Sequence, residues 1–188
     1  MALFNIDELE RIARSSIRLD ERFRDESYQI DEAMQPYSRF DYSKTYDIFL
    51  SHSYKDRIAV AGLVQHLKRQ YGYEIYVDWI DDQRLNRSFV SKLTAKVIKY
   101  QMNKCRCLFY VTSENASSSK WMPWELGLMD GTKGKVAVCP LTSNRYATEY
   151  QGQEYLGLYP YVTETASMLW INEDSKHGNR FERWLDEK

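Results

Sequence analysis

The chain has little that would place it outside the ordinary run of folded domains. No apolar run approaches the roughly 18 residues a spanning helix needs, and no charged start followed by an apolar stretch resembles a secretory signal. A membrane partner is therefore not expected, and the sequence reads as cytoplasmic. Charge of one sign is also missing: 26 Lys and Arg stand against 27 Asp and Glu, a net charge of -1. That leaves no global field to capture nucleic acid. Cysteines number three, Cys105, Cys107 and Cys139, all inside apolar runs. An odd count in such positions reads as reduced core thiols rather than a disulfide framework. Cys105 and Cys107, two apart on a predicted strand, should face the same way, yet no His or second Cys pair stands at ligand spacing, so no metal is expected. Repeats, a Walker-type Gly-Lys-Ser/Thr loop and a dinucleotide glycine fingerprint are absent. At 188 residues the chain holds one domain with a full core plus an extension.

What is present is organised around Tyr46-Asp47-Ile48-Phe49-Leu50-Ser51-His52, an apolar run that breaks into small polar residues. A buried parallel strand looks like this where it ends over a sheet. Before it, apolar residues at helical spacing between Phe4 and Met34 predict one long helix or two shorter ones, with Asp7 and Glu8 favouring its start. Such a helix packs on the domain or serves as an oligomerisation arm; Pro36 to Lys44 then reads as a linker. After the strand, Val60, Leu63, Val64, Leu67 and Tyr71 draw one stripe on a helix from Asp56 to Tyr71, which Gly72 stops. His66 falls on its polar side as a surface histidine. Tyr73 to Trp79 is the second strand, so the pair forms a right-handed βαβ unit.

The loop Asp78 to Arg87 carries three Asp, two Arg and Trp79, either a recognition loop or a solvated turn. Val90, Leu93 and Val97 mark a further helix. Cys105 to Thr112 is a third, central strand. A helix begins near Ser119, places Trp121 and Glu125 four apart on one face and lines up Met122, Leu126 and Met129 on another. Lys135 to Pro140 is a fourth strand that the proline should end. Between Leu141 and Thr165 no element is assignable; Leu158-Tyr159 and Met168 to Ile171 are candidates for a fifth, edge strand. Ser175 could cap a last helix with Phe181, Trp184 and Leu185 on one face.

Glu125 is the residue hardest to explain as packing. A lone carboxylate among two Trp and several aliphatics must find a partner, stay at the core's rim or take a proton. A structural, hydrogen-bonded Glu and a catalytic carboxylate in a cleft are equally compatible with the residues. A receiver domain is excluded because Thr112-Ser113-Glu114 stands where that fold needs its aspartate. Ser51, His52 and Asp56 lie too close in sequence to build a hydrolase triad.

Tyr46 to His52 followed by Asp56 resembles the first box of a Toll/interleukin-1 receptor (TIR) domain. Trp121-Met122-Pro123-Trp124-Glu125 is similar to the W-x-x-x-E of its enzymatic members. The resemblance covers about residues 44 to 141. It implies an α/β, flavodoxin-like fold with a central, mostly parallel sheet of about five strands flanked by helices, an N-terminal helical extension over 1–43 and a TIR domain over 44–188. It further implies an enzyme, with NAD as substrate rather than cofactor, that cleaves the nicotinamide-ribose bond and forms a cyclic ADP-ribose isomer as a signal in bacterial anti-phage (Thoeris) defence. The implied site has Glu125 as catalytic carboxylate and Phe49, Ser51, Ser53, Trp79, Arg84 and Trp121 around the substrate. The implied partners are other TIR chains, a downstream effector reached through the cyclic product, and a phage-derived trigger. The alternative is a non-catalytic TIR module acting by assembly. Residues Asp81 to Arg87 lack the glycine and proline common in receptor TIR loops, which argues against receptor-style adaptor docking.

Overall fold

The computed structural model describes residues 1–17, 29, 32, 40–77, 92–113, 119, 121–152 and 154–187. Its strands are β1 (Phe4–Asn5), β2 (Tyr46–Ser51), β3 (Ile75–Val77), β4 (Cys105–Thr112), β5 (Val136–Thr142), β6 (Tyr161–Glu164), β7 (Leu169–Asn172) and β8 (Gly178–Arg180). The helices are α1 (Ile6–Ile17), α2 (Arg57–Tyr71), α3 (Lys92–Asn103), α4 (Trp121–Lys133) and α5 (Phe181–Asp186). The sheet order is β3-β2-β4-β5-β6-β7-β8, with β1 paired to β5. From β3 to β6 all pairings are parallel; β7 and β8 add an antiparallel end. The five parallel strands thus follow the flavodoxin-like order, in which the first strand in sequence stands inside the sheet and the path reverses around it.

Burial explains why β2 and β4 are central. Ile48 and Leu50 enter one core cluster while Phe49 enters another on the opposite face. Ile48, Phe49, Leu50, Leu108, Phe109 and Val111 are all 0% exposed. Such continuous apolar runs are what a sheet covered on both faces requires. The predicted stripe on α2 is buried at Val60, Leu63, Val64 and Leu67. Gly72, at φ 77, closes that helix through its N–H to Lys68 O.

The first residues form a strand rather than the start of a long helix. Phe4 and Asn5 pair with Leu141 and Thr142 of β5, and Ala2 exchanges both backbone bonds with Glu164 of β6. Asn5 then caps α1, its Oδ1 accepting from Glu8 N at 3.1 Å. Leu9 and Ala13 are buried against the core, and α1 crosses α2 so closely that a Cβ on Gly62 would lie 1.8 Å from Leu9 O.

Several expectations need correction. Among the described residues the sheet has eight strands, not about five. β5 continues through Pro140 to Thr142 because Thr112↔Pro140 is the last pair with β4, and β1 takes over at Leu141. Leu158 belongs to a short 3-10 helix, Glu154–Leu158, while Tyr159 leads into β6 and the run ending at Ile171 becomes β7, an inner strand. The buried side of α3 carries Ile98, Gln101 and Met102, whereas Val97 is exposed. Ser175 caps nothing; it lies in a turn held by Asp174 Oδ1, and α5 starts at Phe181. His66 is half-buried: its Nε2 lies 2.6 Å from Glu164 Oε2, which also accepts from Tyr71 Oη at 2.9 Å. That bond raises the imidazole pKa. Cys105 and Cys107 do not face the same way. Cys105 Sγ bonds Gln101 O of the preceding helix, and Cys107 Sγ bonds Asp47 O across the sheet. All three thiols are free and buried, and burial pushes the Cys105 pKa up to about 12 and the Cys107 and Cys139 values higher than the usual thiol range.

The α1–α2 crossing sets the sign of a glycine substitution. Gly62→Ala should lose about 1–3 kcal/mol by driving a methyl into the Leu9 backbone. Gly131→Ala on α4, where nothing lies within 4 Å, should gain about 0.5–1 kcal/mol from reduced chain entropy. Urea unfolding of both variants distinguishes contact from propensity, because propensity alone would make both substitutions stabilising.

Candidate active site

In an open α/β sheet the binding crevice lies outside the carboxyl ends of the strands where their order reverses. Here that point is the end of β2, flanked by β3 and β4. Ser51 is the last residue of β2 and pairs in register with Tyr110 of β4. Phe49 and Ser51, two apart, point to the same face. α4 covers this face, since Met122, Leu126 and Met129 share the core cluster that holds Phe49, Leu108 and Tyr110. Glu125 lies one residue before Leu126 and three after Met122, so helix geometry carries its carboxylate to the same side. It is 5% exposed, and the Ser51 hydroxyl donates to its Oε2 at 2.5 Å. A carboxylate so buried needs such a donor. Glu125 is thus buried and hydrogen-bonded at the end of β2.

The turn after β2 adds polar groups. His52, Ser53 and Asp56 are buried. Asp56 Oδ2 accepts from Ser113 Oγ at 2.6 Å, tying this turn to the end of β4. Burial pushes the His52 pKa down to about 4, against a hydrogen bond with the Leu50 backbone that works the other way. The imidazole is therefore neutral at physiological pH. Tyr110 has its pKa raised by burial first and by the neighbouring Tyr155 second.

Of the residues singled out in the sequence, Ser51 and Glu125 are brought into contact. Ser53 lies buried two residues beyond. Phe49 is a fully buried packing residue beneath them, 5.7 Å from the Tyr76 ring. Trp121 is half-buried at the first turn of α4, edge-on to Trp124 with centroids 5.3 Å apart. Trp79 and Arg84, with the rest of the loop to Arg87, lie outside the described residues. Among the described residues no group of three His, Cys, Asp or Glu could hold a metal ion. Tyr110, Tyr155 and Ser113 were not singled out, whereas Asp56 was, as the residue that closes the first TIR box. Tyr110 could have been, as the residue that registers with Ser51 once β2 and β4 are paired; Tyr155 sits in a stretch without periodic signal.

His52 gives a pH test. Its folded pKa lies below the unfolded value of 6.5, so the unfolded chain binds the extra proton and stability falls as pH drops from about 6.5 to about 4. Over that window the wild type should lose about 3 kcal/mol that His52→Gln does not. Parallel urea titrations of both proteins that stay equidistant across the window would contradict this.

No protein-family profile matches the chain. Two curated proteins do. The "Probable 3' cyclic ADP-D-ribose synthase ThsB'" of Bacillus cereus (strain MSX-D12) is 42% identical over 193 residues, spanning 100% of both chains. The "Putative cyclic ADP-D-ribose synthase TIR2" of Cytobacillus dafuensis is 33% identical over 84 residues, 44% of this chain and 22% of that one. With identity running end to end through the first relative, and the flavodoxin-like sheet and Glu125 placed as above, the chain belongs to the ThsB family of TIR-domain proteins.

Proposed function

We propose that this protein consumes NAD, cleaves the nicotinamide-ribose bond and closes the remaining ADP-ribose into a cyclic isomer that signals in Thoeris anti-phage defence. The observation that carries this reading is the buried Glu125 carboxylate held by Ser51 at the switch point of the sheet. The names of both relatives, cyclic ADP-D-ribose synthases, agree with it. Nicotinamide is already a cationic substituent in NAD and departs as a neutral molecule. The bond can therefore break without the general acid that ordinary glycosidases keep beside their second carboxylate. One fixed negative charge suffices to hold the ribose hydroxyls and stabilise the oxocarbenium charge that develops at C1. Ser51 orients that charge, Ser53 offers a neighbouring hydroxyl, and Trp121 supplies an aromatic wall above the floor that Phe49 supports.

The remaining roles extend the same reading. Trp79 and Arg84 reach the substrate from the loop after β3, and the loop of one TIR chain completes the Glu125 face of another. The activating trigger is phage-derived, and the product acts on a downstream effector. Residues 44–188 carry the TIR unit, and 1–43 form an extension whose first strand and helix pack on it. Among the described residues no helix is long and apolar enough to cross a membrane, which agrees with a cytoplasmic place of action.

Glu125→Gln preserves shape but removes the charge, so nicotinamide release should fall about a hundredfold or more while the melting temperature barely moves. Ser51→Ala removes one hydrogen bond to a charged group and should cost about ten- to a hundredfold. Mass spectrometry of NAD reactions reads both variants; full turnover by a folded Glu125→Gln would sink the catalytic role. Mixing Glu125→Gln with Arg84→Glu chains should restore part of the activity, because each donates the half the other lacks. A dilute wild-type monomer with full activity, and no complementation at any ratio, would show that one chain builds the whole site.

A further inference from the structure

Large apolar side chains left in solvent are ordinary when scattered and informative when grouped. Among the described residues, those of this chain other than Met1 fall into two groups. Tyr42, Val97 and Tyr100 form the first. Val97 and Tyr100 are three apart on α3 and share a face, and the Tyr42 ring lies 5.6 Å from that of Tyr100. Tyr146, Tyr155 and Leu158 form the second, all from the connection between β5 and β6. Tyr155 and Leu158, also three apart, eclipse one another on the 3-10 helix Glu154–Leu158. Tyr42 is 64% exposed and Leu158 81%.

The two groups stand on opposite flanks of one layer. α3, α4 and the connection all pack on the same core cluster, through Ile98 and Met102, Met122 and Leu126, and Leu156 and Tyr159. Lys133 Nζ of α4 donates to Asn103 O at the end of α3 at 2.7 Å, and Tyr159 Oη donates to Asp130 Oδ2 of α4 at 2.9 Å. α4 therefore lies between the other two. On the outer side of α3, Tyr100 meets Phe40, whose ring reaches Tyr76 of β3 at one end of the sheet. On the other side the connection closes the layer over Val138 of β5 and Tyr161 of β6. It is held tightly there: a Cβ on Gly152 would lie 2.4 Å from Gly157 N, so its backbone is pinched back on itself.

Charge separates the flanks. α3 carries Lys92, Lys96 and Lys99 without an acid, and Lys104 follows it. Asp41, beside Tyr42, is engaged within its own turn, where its Oδ1 accepts from the Ser43 N–H and hydroxyl. From Tyr146 to Tyr159 the chain carries Glu149 and Glu154 and neither Lys nor Arg; Arg145 stands on the turn before it. In a protein of net charge -1, one flank is basic and aromatic and the other acidic and aromatic, so the two complement each other in charge while both offer rings to bury. We infer that these flanks are the two halves of one interface between copies of this chain, the α3 flank of one copy docking on the β5–β6 connection of the next. Because the halves differ, the contact is heterologous and repeats head to tail into a ring or a filament. The inference deepens the reading above, in which TIR chains act together, by giving their association a surface.

Sedimentation velocity of the full chain over a dilution series, at low and high salt, tests this. Wild type should associate as concentration rises, and less so at high salt. Lys96→Glu with Lys99→Glu makes both flanks acidic, and Glu149→Lys with Glu154→Lys makes both basic; each pair of reversals should raise the dissociation constant by about tenfold or more. An equal mixture of the two variants should regain wild-type association, since every flank again meets its opposite, and so should one chain carrying all four reversals. Thermal melting verifies folding. Should a reversal fail to fold, Tyr100→Ala and Leu158→Ala decide in its place by weakening association while leaving the charges. A wild type that stays monomeric throughout, variants that do not recover on mixing, or association that survives the reversals or both alanine changes overturns the inference. A monomeric chain whose α3 flank instead holds a fluorescent single-stranded oligonucleotide, and loses it in Lys96→Glu with Lys99→Glu, would overturn it in favour of nucleic acid. Failure of the NAD reading is separate: the wild type would release no nicotinamide while the sedimentation pattern stood.

Discussion

A carboxylate taken out of water has to be met by a donor, and in this fold the requirement is met across the sheet–helix boundary. Ser51 ends a strand and Glu125 lies in the second turn of a helix 74 residues later. For the two to touch, β2 must stop where it does, and α4 must be rotated so that Met122, Leu126 and Met129 enter the core beside Phe49. A slip of one residue in β2 would turn Ser51 to the opposite face and leave Glu125 buried without that donor. Apolar packing sets the rotation, and the polar contact sets how precisely it must be held. Asp56 and Ser113 repeat the logic one layer out, joining the ends of β2 and β4.

The amino-terminal residues serve the same end of the sheet from the other side. β1 pairs with the last two residues of β5, Ala2 bridges to β6, and Leu3 N donates to Ala147 O in the connection from β5 to β6. The close crossing at Gly62 lets α1 lie flat enough on α2 for this strand to reach the sheet. Glu164 gathers the arrangement: its backbone holds Ala2 while its side chain accepts from Tyr71 and meets His66. The start of the chain is thus part of the packing that frames the carboxyl ends of the central strands.

How much of this could be read from sequence divides along physical lines. β2, α2, β4 and α4 announce themselves because each buries a long apolar face, so periodicity is strong and the W-x-x-x-E pattern falls on a helix packed against that core. β1 is two residues long and is specified by its pairing partner 137 residues away, which no local window reveals. The stretch from Leu141 to Thr165 is half-exposed and rich in tyrosine, so its shape comes from a pinched backbone and scattered hydroxyl contacts rather than from a repeat. Pro140 misled because a proline ends a ladder only on the side where its N–H is needed. His66 misled because its partner, Glu164, belongs to a strand the pattern did not show. In the site, Glu125 was legible as an anomaly of charge among aromatics, and Ser51 as the residue that ends an apolar run. Tyr110 depends on the register of β2 with β4.

The three buried thiols have a use unrelated to chemistry at the site. Cys105 and Cys107 lie on β4 and Cys139 on β5, in the middle of the sheet, with thiolate formation strongly disfavoured by burial. Since alkylating reagents attack the thiolate, the folded protein is silent toward them and the opened sheet is not. Cys105 bonds the end of α3, Cys107 bridges to β2 and Cys139 sits opposite Val111, so the order in which they become reactive would map how the sheet comes apart. The chain carries its own internal clock for core opening, with one hand on each of three neighbouring contacts.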